Sequence, residues 1–169
     1  MRKRSSYRPK GSNPKAYLMA IQGAAKLNIN DILKFVAPLD AAIEAARQAK
    51  ATKEHWQAVF NAINLIEELV RRKVAKDENG AIEAMQEAVI SALDRLKQTG
   101  SKTLKAQEIN ALMDLLGVYS DLLSGITHSE LFEAELGVQR RLIRVLSEGP
   151  RKGEIVMKVT GDSYERKDY

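Results

Sequence analysis

The sequence predicts an all-α fold, a bundle of five to six amphipathic helices, and three observations carry that prediction. Apolar residues recur three and four apart through successive segments of residues 13–148, the period of a helix with one buried face. Hydrophobic residues make up 44% of the chain and aromatics only 5%; Ala, Leu, Ile, Glu, Lys and Gln dominate, which favours helix over strand. Each segment is also bracketed by residues that start and stop helices. At 169 residues this is one domain with tails. It is long enough to bury about two thirds of its unfolded surface without a metal or disulfide.

Residues 1–12 have no apolar period and cannot offset the entropy of ordering, so they read as a disordered basic tail. Asn13-Pro14 opens a first helix to about Ala25, with Tyr17, Leu18 and Ile21 on its apolar side. Asn30-Asp31 opens a second, carrying Ile32, Phe35, Val36, Leu39 and Ile43; Pro38 inside it predicts a kink or break near Val36–Ala37. Thr52 caps a third with the stripe Trp56, Val59, Phe60, Ile63, Ile66, Val70 and Val74. After the turn at Asp77-Glu78-Asn79-Gly80, a fourth presents Ile82, Met85, Val89, Leu93 and Leu96 and ends at Thr99-Gly100.

Thr103 starts a fifth helix, with Ile109, Leu112, Met113, Leu116, Tyr119 and Leu123 on one face and Gly125 as its stop. Thr127-His128-Ser129-Glu130 has the form of a capping box. It opens a sixth helix with Leu131, Ala134, Val138, Leu142 and Val145, closed by Gly149-Pro150. Residues 149–169 read as an extended or flexible tail. Within it Gly153–Val159 has strand-like, β-branched content and no evident partner strand, so it pairs across a homodimer or stays extended. An unpaired edge bearing Val156 and Val159 favours the homodimer.

Charge is unevenly placed. The first thirty residues hold seven basic side chains (Arg2, Lys3, Arg4, Arg8, Lys10, Lys15 and Lys26) and no acid. The net charge of +5 therefore belongs to the N-terminus, since the remainder holds 20 basic and 22 acidic residues. A terminal basic block is solvated or contacts an anionic partner. Arg2, Lys3, Arg4, Arg8 and Lys10 around the stacking ring of Tyr7 are candidate nucleic-acid-binding residues for DNA or RNA. Neutralising about six phosphates would give a log–log salt slope near −5 on duplex DNA. Arg140 and Arg144, one turn apart, are candidates to extend that surface. Arg71-Arg72-Lys73 already has a structural explanation, because cations are favoured at a helix C-terminus.

Several function classes lose their apparatus. The chain has no cysteine, which removes disulfides, thiolate metal sites and Cys nucleophiles and fits a reducing cytoplasm. No apolar stretch follows the basic start, so no signal peptide is expected. No run approaches the roughly 18 apolar residues of a membrane span. His55 and His128 stand in no metal-binding spacing. Acid pairs occur at Glu67-Glu68, Glu83/Glu87 and Glu133/Glu135; Glu83 and Glu87, one turn apart, alternate with the apolar stripe of the fourth helix and read as its solvated face rather than as acid and base. Neither a phosphate-cradling glycine loop nor GxSxG occurs. The expectation is no catalysis, no cofactor and no metal. Asn64, bordering the third helix's stripe, needs a hydrogen-bond partner if buried.

The opening Arg2-Lys3-Arg4-Ser5-Ser6-Tyr7-Arg8-Pro9-Lys10, with Ala51-Thr52, Asn64-x-x-Glu67, Glu108-x-x-Ala111-Leu112 and Ile126-Thr127-x-x-Glu130-Leu131, resembles a group of small proteins of tailed phages and prophages. The likeness spans most of residues 1–146 and includes no catalytic motif, so it transfers no functional residue. It implies a phage accessory protein in the cytoplasm of a bacterial host. Two functions follow as expectations. One is a non-enzymatic protein that binds and modulates a host protein; the alternative is a nucleic-acid binder using the Arg/Lys/Tyr tail.

Overall fold

The computed structural model describes residues 22–77, 80–149, 157–160 and 163–166. Among them, residues 22–24 are helical, and five longer helices follow: α1 (Ile29–Arg47), α2 (Lys53–Arg71), α3 (Ala81–Thr99), α4 (Ala106–Gly125) and α5 (His128–Glu148). The fold is the all-α bundle that the periodicity predicts. The basic tail of residues 1–12, and Tyr17, Leu18 and Ile21 of the first expected helix, lie outside the described residues.

The second helix is the centre of the bundle. It packs against α1, α3, α4 and α5, and it buries ten residues, including Ala62, Leu65 and Leu69 beside the expected Trp56, Val59, Phe60, Ile63 and Ile66. A single apolar stripe suits a surface helix; burial nearly all round marks an inner one. The outer helices each turn one face to it. Leu39 and Ile43 of α1, Val89 and Leu93 of α3, Leu112, Leu115 and Leu123 of α4, and Leu131 and Ala134 of α5 join the same core.

Helix ends follow local hydrogen bonding. The start of α1 is Ile29, two residues before the expected Asp31, because Asn28 Oδ1 accepts from the N–H groups of Asn30 (2.9 Å) and Asp31 (3.1 Å). Thr52 caps α2 as expected, and its backbone N–H donates to His55 Nδ1 at 3.0 Å. The left-handed φ of +70° at Gly100 closes α3, a conformation that glycine adopts without strain. α4 starts at Ala106 rather than Thr103: the Glu108 carboxylate accepts from the Lys105 N–H (2.7 Å) and from Arg95 Nη2 of α3 (2.6 Å). The capping box at Thr127 forms, with Glu130 N–H donating to Thr127 Oγ1 and Thr127 N–H to Glu130 Oε2.

Three expectations are corrected. Helix α1 runs unbroken through Pro38, so of the kink or break expected near Val36–Ala37 the break does not occur. An interior proline costs about 3 kcal/mol. Leu39 and Ile43, each only 1% exposed, return about 1.5–3 kcal/mol apiece by burial and hold the following turns to the core. Met113, assigned to the buried face of α4, is exposed, and Leu115 is buried in its place. Lastly, Met157–Thr160 (β1) has a partner within the chain, pairing antiparallel with Ser163–Arg166 (β2), with Val159 opposite Tyr164. A second copy is not needed to supply that strand.

The segment before α1 is tied to the turn between α4 and α5. Leu27 N–H donates to the Ile126 carbonyl (3.3 Å), and His128 N–H to the Ala25 carbonyl (3.0 Å). The chain leading in from the basic N-terminus therefore enters the bundle at the start of α5.

Candidate nucleic-acid interface

Helix α5 buries Leu131, Ala134, Gly137, Arg141 and Val145 against α2. At the middle of this seam the packing turns polar. Glu68 of α2 is 2% exposed, and its carboxylate sits where a side chain at position 137 would be. A Cβ on Gly137 would lie 2.6 Å from Glu68 Cδ and closer still to Oε1. Glycine within a helix costs about 1 kcal/mol relative to alanine; here it provides the space that seats a carboxylate between two helices.

A buried carboxylate must be paired. Glu68 pairs along its own helix with Arg71 and Arg72, the latter through Nε at 2.9 Å, at the favourable three- and four-residue spacings. Arg72 also reaches across to Glu133 of α5 (Nη1–Oε2 3.0 Å). The reciprocal contact comes from α5: Arg141, 4% exposed, pairs with Glu67 (Nη1–Oε2 2.8 Å) and donates through Nη2 to the Asn64 carbonyl at 3.2 Å. Two ion pairs thus cross the seam in opposite directions.

Cations exceed anions here. Arg71, Arg72, Arg140, Arg141 and Arg144 surround Glu67, Glu68 and Glu133, for a local charge of +2. The five arginines line an open cleft of about 320 Å³ together with Glu68 and Gly137, at the small end of the range for ligand clefts. Arg140 is exposed and has no ion-pair partner among the described residues. Arginine's planar fork of donors suits phosphate oxygens, which it binds two at a time.

The candidates Arg140 and Arg144 are therefore brought together with Arg71 and Arg72, which the helix dipole alone had seemed to explain. Arg2, Lys3, Arg4, Tyr7, Arg8 and Lys10 lie outside the described residues. The spacings Glu67/Arg71 and Glu68/Arg72 were legible in the sequence as helical pairs, and a glycine inside the last helical pattern marked Gly137. No sequence signal linked the two sets, because their meeting depends on how α5 crosses α2. Glu68 of the pair Glu67-Glu68 is buried, whereas Glu83 and Glu87 are exposed as expected.

The remaining candidates stay apart. His55 is engaged by Thr52 at the head of α2, and His128 Nε2 lies 3.6 Å from Asp31 Oδ2 of α1. Among the described residues no three His, Asp or Glu side chains gather as metal ligands, and no helix is long and apolar enough to cross a membrane. A separate groove of about 270 Å³ runs between α1, α2, α4 and α5, walled by Phe35, Leu65, Tyr119, Val138 and Leu142. Glu135 lies on its rim, and burial pushes its carboxyl above the ordinary range. Comparison with known proteins returns no match: no family model, curated protein or solved structure matches the chain.

Proposed function

We propose that this chain is a non-enzymatic binding protein whose arginine cleft, with the basic N-terminal segment, holds a nucleic-acid backbone. The observation that carries the reading is the convergence of Arg71, Arg72, Arg140 and Arg144 on one open cleft. Phosphate contacts of this kind position a protein on nucleic acid without reading its sequence. The resemblance of residues 1–146 to small phage and prophage proteins supports a setting in the cytoplasm of a bacterial host.

The test compares the full chain, a form lacking residues 1–12, and Arg140→Ala/Arg144→Ala on single-stranded DNA, duplex DNA and RNA at two salt concentrations. Each phosphate contact removed should flatten the log–log salt slope on duplex DNA by about 0.9, so the double substitution should flatten it by roughly 2. Binding unchanged by both alterations would remove the cleft and the tail from the interface.

A second reading, modulation of a bacterial host protein, draws on the groove at Phe35, Leu65, Tyr119, Val138 and Leu142. It expects one host protein to be retained by the immobilised full chain and lost on Val138→Glu. Absence of any specific host protein under several conditions would count against it.

A further inference from the structure

The face of α5 opposite α2 carries Phe132, Leu136, Gln139, Ile143 and Leu146, successive positions four, three, four and three residues apart. Phe132, Ile143 and Leu146 are 60%, 67% and 55% exposed. Of the seven large apolar side chains that are exposed among the described residues, three thus fall on one line along one helix. A repeat of 3.5 residues is the signature of a helix that pairs with another helix along a coiled-coil seam. A helix meeting only its own bundle needs no such second stripe.

The charges beside the stripe indicate the partner. With Leu136 and Ile143 at the a positions and Phe132, Gln139 and Leu146 at d, Glu135 falls at g and Arg140 at the following e. In a parallel pair of identical helices, g of one copy faces the next e of the other. Glu135 would meet the second copy's Arg140, and twofold symmetry makes the contact twice. Within the chain neither side chain has an ion-pair partner among the described residues. Burial without a neighbouring cation raises the Glu135 carboxyl pKa, a cost that such a guanidinium would relieve.

Gln139 selects the orientation. In parallel register it faces its own copy, and the two side-chain amides donate and accept mutually. In antiparallel registers it faces Leu136 or Ile143, leaving an amide unsatisfied. Ile at a with Leu at d further favours a two-stranded parallel seam.

We propose that a second copy of this chain occupies the outer face of α5, the two helices pairing parallel and in register from Phe132 to Leu146. The body of each copy lies on the opposite side of its own α5, so the bundles flank the seam. Arg71, Arg72 and Arg144 stay outside it, and each copy brings its own arginine cleft. This inference does not rest on the nucleic-acid reading, but it shares Arg140 with it: in the dimer Arg140 is engaged at the edge of the seam, and the cleft keeps Arg71, Arg72 and Arg144 for an anion. The seam is about 21 Å long, so it belongs among small interfaces with dissociation constants on the order of micromolar.

Sedimentation equilibrium on the full chain from about 1 to 200 µM, with helicity and Tm followed alongside, tests the proposal across that range. The 18.8 kDa chain should approach twice its mass at the upper end. Ile143→Glu should remain monomeric, with helicity unchanged and with the Tm that the parent shows at its lowest, monomeric concentration, because Ile143 is exposed and only the parent gains stability by association. Arg140→Glu should weaken the dimer at least tenfold, and Glu135→Arg with Arg140→Glu should restore it. Gln139→Cys should form an intermolecular disulfide on oxidation, since the chain has no other cysteine.

A full chain that stays monomeric overturns the proposal, as does a dimer indifferent to Ile143→Glu. A dimer in which Gln139→Cys fails to cross-link overturns the parallel register. A chain that dimerises only after removal of residues 1–21 would assign the stripe to that segment instead.

Discussion

Replacing Gly137 with alanine should destabilise this protein, although alanine is the better helix former. The substitution gains about 1 kcal/mol of intrinsic helix propensity. Its methyl group, however, would occupy the seat of the Glu68 carboxylate, lying 2.6 Å from Cδ. The carboxylate is the flexible end of its side chain and can leave, but leaving disrupts its pairing with Arg71 and Arg72. Breaking a buried ion pair outright costs about 3–5 kcal/mol. The half-exposed Arg71 can follow the carboxylate in part, so roughly 3 kcal/mol is expected here. Less the propensity gain, the net loss is about 2 kcal/mol, or some 4–8 °C in Tm for a domain of this size. Urea denaturation of Gly137→Ala, Glu68→Ala and the double variant measures it. In the Glu68→Ala background the clash is gone, and Gly137→Ala should then be neutral or stabilising. A Gly137→Ala protein as stable as the parent, or equal effects in both backgrounds, would refute the role given to Gly137.

Further predictions concern the ion pair between α3 and α4, one cap and one face. Arg95, ahead of the Lys105 N–H, holds the Glu108 carboxyl below the usual carboxylate range. That stabilisation is present above the unfolded value near 4.3 and is lost as pH falls through the lower folded value. Glu108→Gln should thus lose about 2–3 kcal/mol at pH 7 and show a shallower fall in stability below about pH 4.5; parallel pH–stability curves would exclude this. Thr127→Ala should cost about 1 kcal/mol by removing the α5 cap, and an unchanged urea midpoint would show that the cap contributes nothing. Leu123→Ala, at a fully buried site, should cost about 2–5 kcal/mol, while the exposed Met113→Ala stays within about 0.5 kcal/mol. The reverse order in thermal melts would return Met113 to the buried face.

Local signals were well legible where one helix contains the whole interaction. Thr52, Gly100 and the Thr127–Glu130 box act through atoms within four residues, so the sequence shows them directly. Pro38 was weighed by its local cost alone, and the burial of Leu39 and Ile43 against α2 outweighs it. Asn28 and Glu108 shifted two helix starts: Asn28 through its own side chain, and Glu108 through an arginine on the preceding helix.

The candidate site divides in the same way. Periodicity, caps and composition determined by themselves that this chain is an all-α bundle, because each depends on spacing along one helix. They also placed Arg140 and Arg144 one turn apart and left Phe132, Leu136, Ile143 and Leu146 at a seven-residue repeat. Only the tertiary structure decided that α2 lies at the centre, that Gly137 opens a seat for Glu68, and that Arg71 and Arg72 meet Arg140, Arg141 and Arg144. Those outcomes depend on which faces of α2 and α5 meet and at what depth they cross. That choice is made by the packing of the whole core and is encoded at no single position.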